Sequence, residues 1–454
     1  MNKSSRILKK QIQVGYWPGF IVGMYPSMFA YKPIPIDIKK SWKGVKEVNL
    51  YFHIPFCKWD CSFCTFFKVV KSEKSYFEKY TDKLIEQIHY YDEILPKGTI
   101  VKSICFGGGT PNAIPADHYK LIFNALNESS FVFDDSLEPS MEISPERITR
   151  EYIETIADAG IKRLSMGVQS LRKELRRDMG RGRNLDLSEL ITAARDNSLN
   201  INIDVINGIR GQNNDDFMST LKEILKFEPE TISTYILSGV DNGLFKRDER
   251  IMTSSEKYDL FSEYYDYLTH HGYDCESHVK FIKKEQHSTH QQKIYEYEGT
   301  STLGIGCGAR SYNDFVHYST PWVTDKKESN RLIDEYIEKD FKDLQWTGFY
   351  MNEDEIKRRS IIYAFFMGTL DFNTYQEKFG TEFKTDFPDE YEALLDNALV
   401  VESSSVLTLN EKGRKYTDLI GVMFWSASIS AMFNARRLPT ETQDTNNIIE
   451  IQSL

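Results

Sequence analysis

From about residue 47 onward, short apolar runs alternate with longer segments of helical period. The runs are Val48–Ile54, Ile100–Phe106, Ser140–Ser144, Ile161–Val168, Ile201–Ile206 and Thr231–Leu237. Between them the spacing predicts helices at Ser75–Tyr91, Ala116–Ala125, Arg150–Ala159, Leu187–Asp196 and Phe217–Lys226. Strands alternating with helices of this length argue for βαβ units around a parallel sheet. The predicted class is therefore α/β, with six units curving into a partial (β/α)6 barrel. In such folds the chemistry lies at the C-terminal ends of the strands.

The flanking regions read differently. Residues 1–46 contain Trp17, Pro18, Pro26, Pro33 and Pro35, a density that breaks helices, so an irregular segment wrapping the barrel is expected. After Thr231–Leu237 come a helix at Ser255–His271 and a lysine-rich turn, and the barrel domain is taken to close near residue 320. A charged and aromatic connector is expected over 321–350. Residues 351–435 predict helices at Glu353–Met367, Phe372–Phe379 and Glu390–Asn397, a hairpin over Leu399–Leu409, and a last helix from Asn410 to about Trp425. That order suggests a winged-helix-like module, followed by a flexible tail at 436–454.

Composition narrows the function. The chain has 454 residues, 41% hydrophobic and 27% charged, with a formal net charge of −11. Its dense basic cluster, Arg172 to Arg183, also holds Glu174 and Asp178, so a phosphate-backbone stripe is absent and nucleic-acid binding is not expected. No apolar run reaches membrane-spanning length, and Met1 to Gln13 lacks the apolar core of a secretory signal. A cytoplasmic protein with no membrane partner is expected. Six cysteines are too few for a disulfide scaffold, and three of them fall within eight residues, which points to metal or redox chemistry.

Those three are Cys57, Cys61 and Cys64, spaced C-x3-C-x2-C directly after a predicted strand. Thiolates are soft ligands suited to iron–sulfur clusters, and three of them can hold three irons of a [4Fe–4S] cube, leaving the fourth iron open. A structural zinc site needs four ligands, for which His53 is the nearby candidate. Cys105, Cys275 and Cys307 are scattered and read as core or loop residues.

Further motifs stand at the predicted strand ends: Phe106-Gly107-Gly108-Gly109-Thr110-Pro111, Glu142-x-x-Pro145-Glu146, Arg163 to Ser170, Asn202-Ile203-Asp204, and Leu303 to Ala309. Glycine at a strand end lets backbone approach a ligand closely. Asp204 lies within an apolar strand, where a carboxylate needs a partner.

With Tyr51-x-His53-Ile54-Pro55-Phe56 before the cysteines, the set resembles the radical S-adenosylmethionine (SAM) superfamily, and within it the oxygen-independent coproporphyrinogen III oxidase (HemN-like) subfamily. The resemblance spans roughly residues 47–315, with an echo at 350–425. It implies a [4Fe–4S] cluster on Cys57, Cys61 and Cys64 and a SAM site at Tyr51, Phe63, Gly108, Gly109, Thr110 and Glu142. It further implies SAM contacts, some to a second SAM molecule, at Gln169, Arg181, Asp204, Ser238 and Arg310. A reduced flavodoxin or ferredoxin is the implied electron donor.

The chain departs from the oxidases in two places. They carry a fourth cysteine where this chain has Phe66, and Arg210 replaces a proline in Gly208-Ile209-Arg210-Gly211-Gln212. Three activities are therefore weighed. The favoured one is methyl or methylene transfer to an sp2 carbon of an aromatic, heterocyclic or tetrapyrrole substrate. The others are propionate decarboxylation of coproporphyrinogen III and a heme chaperone without turnover. For the last, His270, His271, His278, His287 and His290 are candidate ligands, expected mostly at the surface.

Overall fold

The computed structural model describes residues 1–16, 24–71, 73–146, 148–182, 185–237, 251–286 and 291–437. Its centre is a run of parallel strands, β1 (Glu47–Ile54), β2 (Ile100–Gly108), β3 (Ser140–Ile143), β4 (Arg163–Gln169), β5 (Asn200–Asn207), β6 (Thr231–Ile236) and β7 (Ser301–Ile305). They lie in the order β7-β1-β2-β3-β4-β5-β6, every neighbouring pair parallel, and among the described residues the sheet does not close on itself. This is the mixed α/β, partial-barrel class that the apolar runs predict, with a seventh parallel strand that the runs do not reveal.

Side-chain alternation sorts the two faces. In β1, Val48, Leu50, Phe52 and Ile54 enter the core under the helices, where Phe52 stacks on Phe106 at 4.7 Å. The intervening Asn49, Tyr51 and His53 face the other side, and Asn49 accepts a hydrogen bond from Ser103 at 2.7 Å. Burial of both faces is what parallel strands covered by crossover helices require. The helices start and stop where local chemistry directs. Thr149 caps Arg150–Ala159 through the Tyr152 amide, and Gly160, at φ 118°, ends it.

Both edges continue antiparallel. The hairpin Tyr273–Ser277 and Lys280–Lys283 adds to β6, so the expected lysine-rich turn is a strand whose Lys280 is buried. At the other edge, Arg310–Tyr312, Val316–Ser319, Thr347–Tyr350 and Lys32–Pro33 follow β7 in that order. The segment 321–350 is therefore not a bare connector. It contains the helix Lys326–Glu338 and a strand of the main sheet.

The N-terminal segment also differs from the expectation. Lys3–Gln13 is a helix capped by Asn2, and it packs on the C-terminal module: Leu8 joins that module's core, and Ser5 donates to Asp396 at 2.8 Å. Only the later part meets the sheet, where Trp42 donates to the Tyr318 hydroxyl at 2.7 Å. The C-terminal module has its own core and a three-stranded sheet of Thr369–Asp371, Val406–Leu409 and Val400–Ser403. Its expected last helix is broken at Tyr416 into Glu411–Lys415 and Thr417–Met423, and a further helix, Ala427–Arg437, enters the expected tail.

Candidate active site

The cysteine loop leaves the C-terminal end of β1 and is pinned at both ends. Phe56–Cys57 pairs in parallel with Val69–Val70, and the Val69 amide donates to the Pro55 carbonyl at 2.7 Å. Within the loop, the Cys64 amide donates to the Cys61 carbonyl at 3.1 Å, and Lys68 donates to Asp60 at 3.1 Å. The three thiols differ in surroundings. Cys57 is buried beside Thr110, Sγ to Oγ1 3.4 Å, whereas Cys61 and Cys64 are part-exposed. Burial pushes the Cys57 thiol up to about 12, so a thiolate there needs a cation to compensate it.

His53 is not a spare ligand. Its Nε2 donates to the Phe67 carbonyl at 3.0 Å, which leaves Nδ1 to accept from the Tyr51 hydroxyl at 3.3 Å. Burial lowers its pKa to about 4, so the ring is neutral and serves as a latch across the loop. The zinc alternative thus loses its fourth ligand. Among the described residues, no three thiol, imidazole or carboxylate groups converge to chelate one metal ion. A cube fits this loop better than a point ion, because each thiolate then binds a different iron.

The glycine turn after β2 is shaped by close approach. A Cβ on Gly109 would lie 2.8 Å from the Phe56 carbonyl oxygen and 3.1 Å from the Cys57 sulfur. Gly108 has φ 112°, and a Cβ there would lie 2.8 Å from the His53 ring. Gly108→Ala is expected to cost about 1–3 kcal/mol in backbone strain and to displace His53. A lower unfolding midpoint, with less iron retained after anaerobic reconstitution than in the wild type, checks this.

Two carboxylates face the space beyond that turn. Glu142, from β3, lies in register with Ser165, while Asp204, from β5, pairs with Gly167 and Ser233. Burial, and then the charge of Asp204, raise the Glu142 pKa to about 7. Burial also raises Asp204, against hydrogen bonds from Asn202 at 2.7 Å and Ser165 at 3.1 Å.

Arg181 joins this space to the cysteine loop. It donates to the Gly167 carbonyl, approaches the Cys61 sulfur at 3.4 Å and lies 5.7 Å from the Phe63 ring centroid. Gln169 sits at φ 67° with its buried Oε1 lacking any hydrogen-bond partner, an acceptor of the kind a ligand satisfies. Arg310 lies against the Met24 and Met28 sulfurs, at 3.8 and 3.3 Å. Ser238 lies outside the described residues.

One contributor escapes sequence reasoning. Arg176, fully buried, pairs with Glu146 and donates to the Val168 and Ser170 carbonyls, fixing the turn that carries Arg181. Its signal is present only as a charge inside a basic run. Of the candidate histidines, His270 and His271 are exposed and satisfied by the Asp266 and Tyr267 carbonyls at 2.6 and 2.7 Å. His278 is not a surface residue: it stacks on Phe366 at 4.3 Å with both ring nitrogens buried. His287 and His290 lie outside the described residues.

Residues 51–224 match the model of the Radical SAM superfamily. The chain is 26% identical over 390 residues to the oxygen-independent coproporphyrinogen III oxidase of Salmonella typhimurium, covering 82% of each. It is 24% identical over 391 residues to the heme chaperone HemW of Buchnera aphidicola, covering 83% of this chain and 98% of that one. In fold it resembles the Escherichia coli coproporphyrinogen III oxidase HemN, a radical SAM enzyme, at TM-score 0.75 and 22% identity over 91% of this chain and 98% of that one. Among the described residues, no helix is long and apolar enough to cross a membrane.

Proposed function

We propose that this chain, whose residues 51–224 match the Radical SAM superfamily model and which is similar to oxygen-independent coproporphyrinogen III oxidases, cleaves SAM at a cluster held by Cys57, Cys61 and Cys64 and applies the resulting radical to a small unsaturated substrate. The carrying observation is the docking of the cysteine loop between two strand ends: Cys57 against Thr110 after β2, and Cys61 against Arg181 beyond β4. In this family a [4Fe–4S] cluster and SAM supply the chemistry, reductive cleavage of SAM to a 5′-deoxyadenosyl radical. The protein's part is to bind, orient and exclude water.

In this reading Gly108, Gly109 and Thr110 offer backbone and hydroxyl groups to the SAM amino end, and ionised Glu142 pairs with its ammonium. Tyr51 and Phe63 line the adenosyl group. Arg310, which lies against the Met24 and Met28 sulfurs and 5.7 Å from the Trp322 ring centroid, offers a guanidinium to the SAM carboxylate. Gln169, Arg181 and Asp204 serve a second SAM, and Ser238 is assigned as a further SAM contact by resemblance alone. A reduced flavodoxin or ferredoxin supplies the electron.

The reaction itself is proposed to be one-carbon transfer to an sp2 carbon. Phe66 supports it: the side chain standing where the oxidases have their fourth cysteine is 60% exposed and apolar. A second reading, propionate decarboxylation, is supported by the oxidase that matches 82% of this chain. The HemW relative supports heme carriage.

One assay separates them. Reconstituted protein with dithionite and SAM is expected to release both 5′-deoxyadenosine and S-adenosylhomocysteine. Deoxyadenosine alone, with carbon dioxide from coproporphyrinogen III, favours decarboxylation. Absence of both products, with tight heme binding, favours carriage and overturns the radical reading.

A further inference from the structure

Six lysine and arginine side chains are fully buried among the described residues: Lys83, Arg163, Arg176, Lys257, Lys280 and Arg359. Five of them donate hydrogen bonds. Lys83 donates to Glu86, Arg163 to Thr231, Arg176 to Glu146, Lys257 to the Leu237 carbonyl and Arg359 to the Asn313 carbonyl. Lys280 donates none, although it is only 5% exposed. A largely buried ammonium with no hydrogen-bond acceptor is costly, and a ligand at the space its nitrogen still reaches completes its shell.

Its position suits that use. Lys280 pairs with Ser233 of β6, Ser233 pairs with Asp204 of β5, and Asp204 pairs with Gly167 of β4. Lys280 therefore lies on the same cross-strand row as Asp204, and both it and Glu142 act within electrostatic range of each other. Burial, and then the neighbouring Arg163, lower its pKa to about 7, against the opposing charges of Glu276 and Asp204. On the same hairpin Glu276 keeps a buried oxygen unpartnered, and it does not reach Lys280 within hydrogen-bond distance. Among the described residues no group accepts a hydrogen bond from the Lys280 ammonium, although the Glu276 and Asp204 carboxylates act on it as opposite charges.

We propose that Lys280 is a substrate-positioning residue, its ammonium binding a carboxylate of the substrate at the β6 edge of the barrel interior. This rests on the radical reading of the site and gives its substrate a class, an unsaturated molecule bearing a carboxylate. The ammonium holds the carboxylate end, and the reacting carbon is thereby placed toward Glu142 and the cysteine loop. Lys280 takes no part in the bond changes.

The test compares coproporphyrin III with its tetramethyl ester, which differ in carboxylate charge, by fluorescence quenching on the reconstituted holoenzyme. Wild-type protein is expected to bind the acid at least tenfold more tightly than the ester. Lys280→Met is expected to abolish the preference, and Lys280→Arg, which keeps the charge, to retain most of it. Equal binding of acid and ester by the wild type overturns the proposal. So does a preference that survives in Lys280→Met, or a lowered unfolding midpoint with unchanged preference, which would make Lys280 a structural counter-ion. Release of 5′-deoxyadenosine by the wild type without added substrate tests the radical reading separately, so the two can fail independently.

Discussion

Replacing Cys57, Cys61 and Cys64 together by alanine is expected to abolish the brown colour, the bound iron and sulfide, and all release of 5′-deoxyadenosine, while the chain stays folded. The first part follows from the ligand chemistry: the loop offers three soft donors, and no neighbouring imidazole is free to replace one, because His53 is engaged with Phe67 and Tyr51. The second part follows from the packing. The loop is fixed by backbone pairing at Phe56–Cys57 with Val69–Val70 and by the Ser62 amide on the Met179 carbonyl, none of which uses a sulfur atom. Cys61 and Cys64 are part-exposed, so their truncation removes little buried apolar area. Cys57 is the buried one, and its loss costs about 1–2 kcal/mol in packing. Iron and acid-labile sulfide assays after anaerobic reconstitution, with circular dichroism for folding, check both parts. Retention of iron and of SAM cleavage by the triple variant would sink the cluster assignment.

The features legible in the sequence are those written in short-range pattern. The helix Arg150–Ala159 falls where its period and its Thr149 and Gly160 caps put it, and the cysteine spacing directly after β1 carries its own chemistry. What escapes is decided by distant partners. Lys3–Gln13 buries Leu8 beneath a lysine-rich face, and the helix is stable only because a module starting some 350 residues later receives it. Strand β7 hides inside a glycine-rich motif. A Cβ on Gly304 would lie 2.6 Å from the Arg310 carbonyl oxygen, so the glycines there serve a tight strand reversal, which composition alone reads as loop. Lys280 in a run of charged residues reads as a solvated turn; only the register with Ser233 shows that it points inward. The same limit separates Glu142 from an ordinary surface acid: its neighbours Tyr51, Gly107 and Asp204 come from three other strands.

That placement gives Glu142→Gln opposite effects on stability and on SAM binding. A carboxyl whose pKa is about 7 in the folded chain, against about 4.5 when unfolded, binds its proton more tightly in the folded state. Between those values the unfolded chain has released the proton and the folded chain has not, so stability falls as pH rises from about 4.5 to about 7 and is flat beyond. The contribution is on the order of 3 kcal/mol, taken at about 1.4 kcal/mol per pKa unit. Glutamine carries no charge to desolvate. Without SAM, Glu142→Gln is therefore expected to unfold at a higher temperature than the wild type at pH 8 and at nearly the same temperature at pH 5. With SAM that advantage at pH 8 shrinks or vanishes. The ionised carboxylate is the group proposed to pair with the SAM ammonium, and loss of a charged hydrogen bond worth about 1.5–3 kcal/mol weakens binding about 10- to 100-fold. Thermal melts at the two pH values, each with and without SAM, check the whole pattern. A variant that binds SAM as tightly as the wild type, or is less stable without it at pH 8, removes Glu142 from the site. The sign of the ligand-free effect is the more telling one, since a carboxylate kept only for structure would leave the folded chain weaker when it is lost.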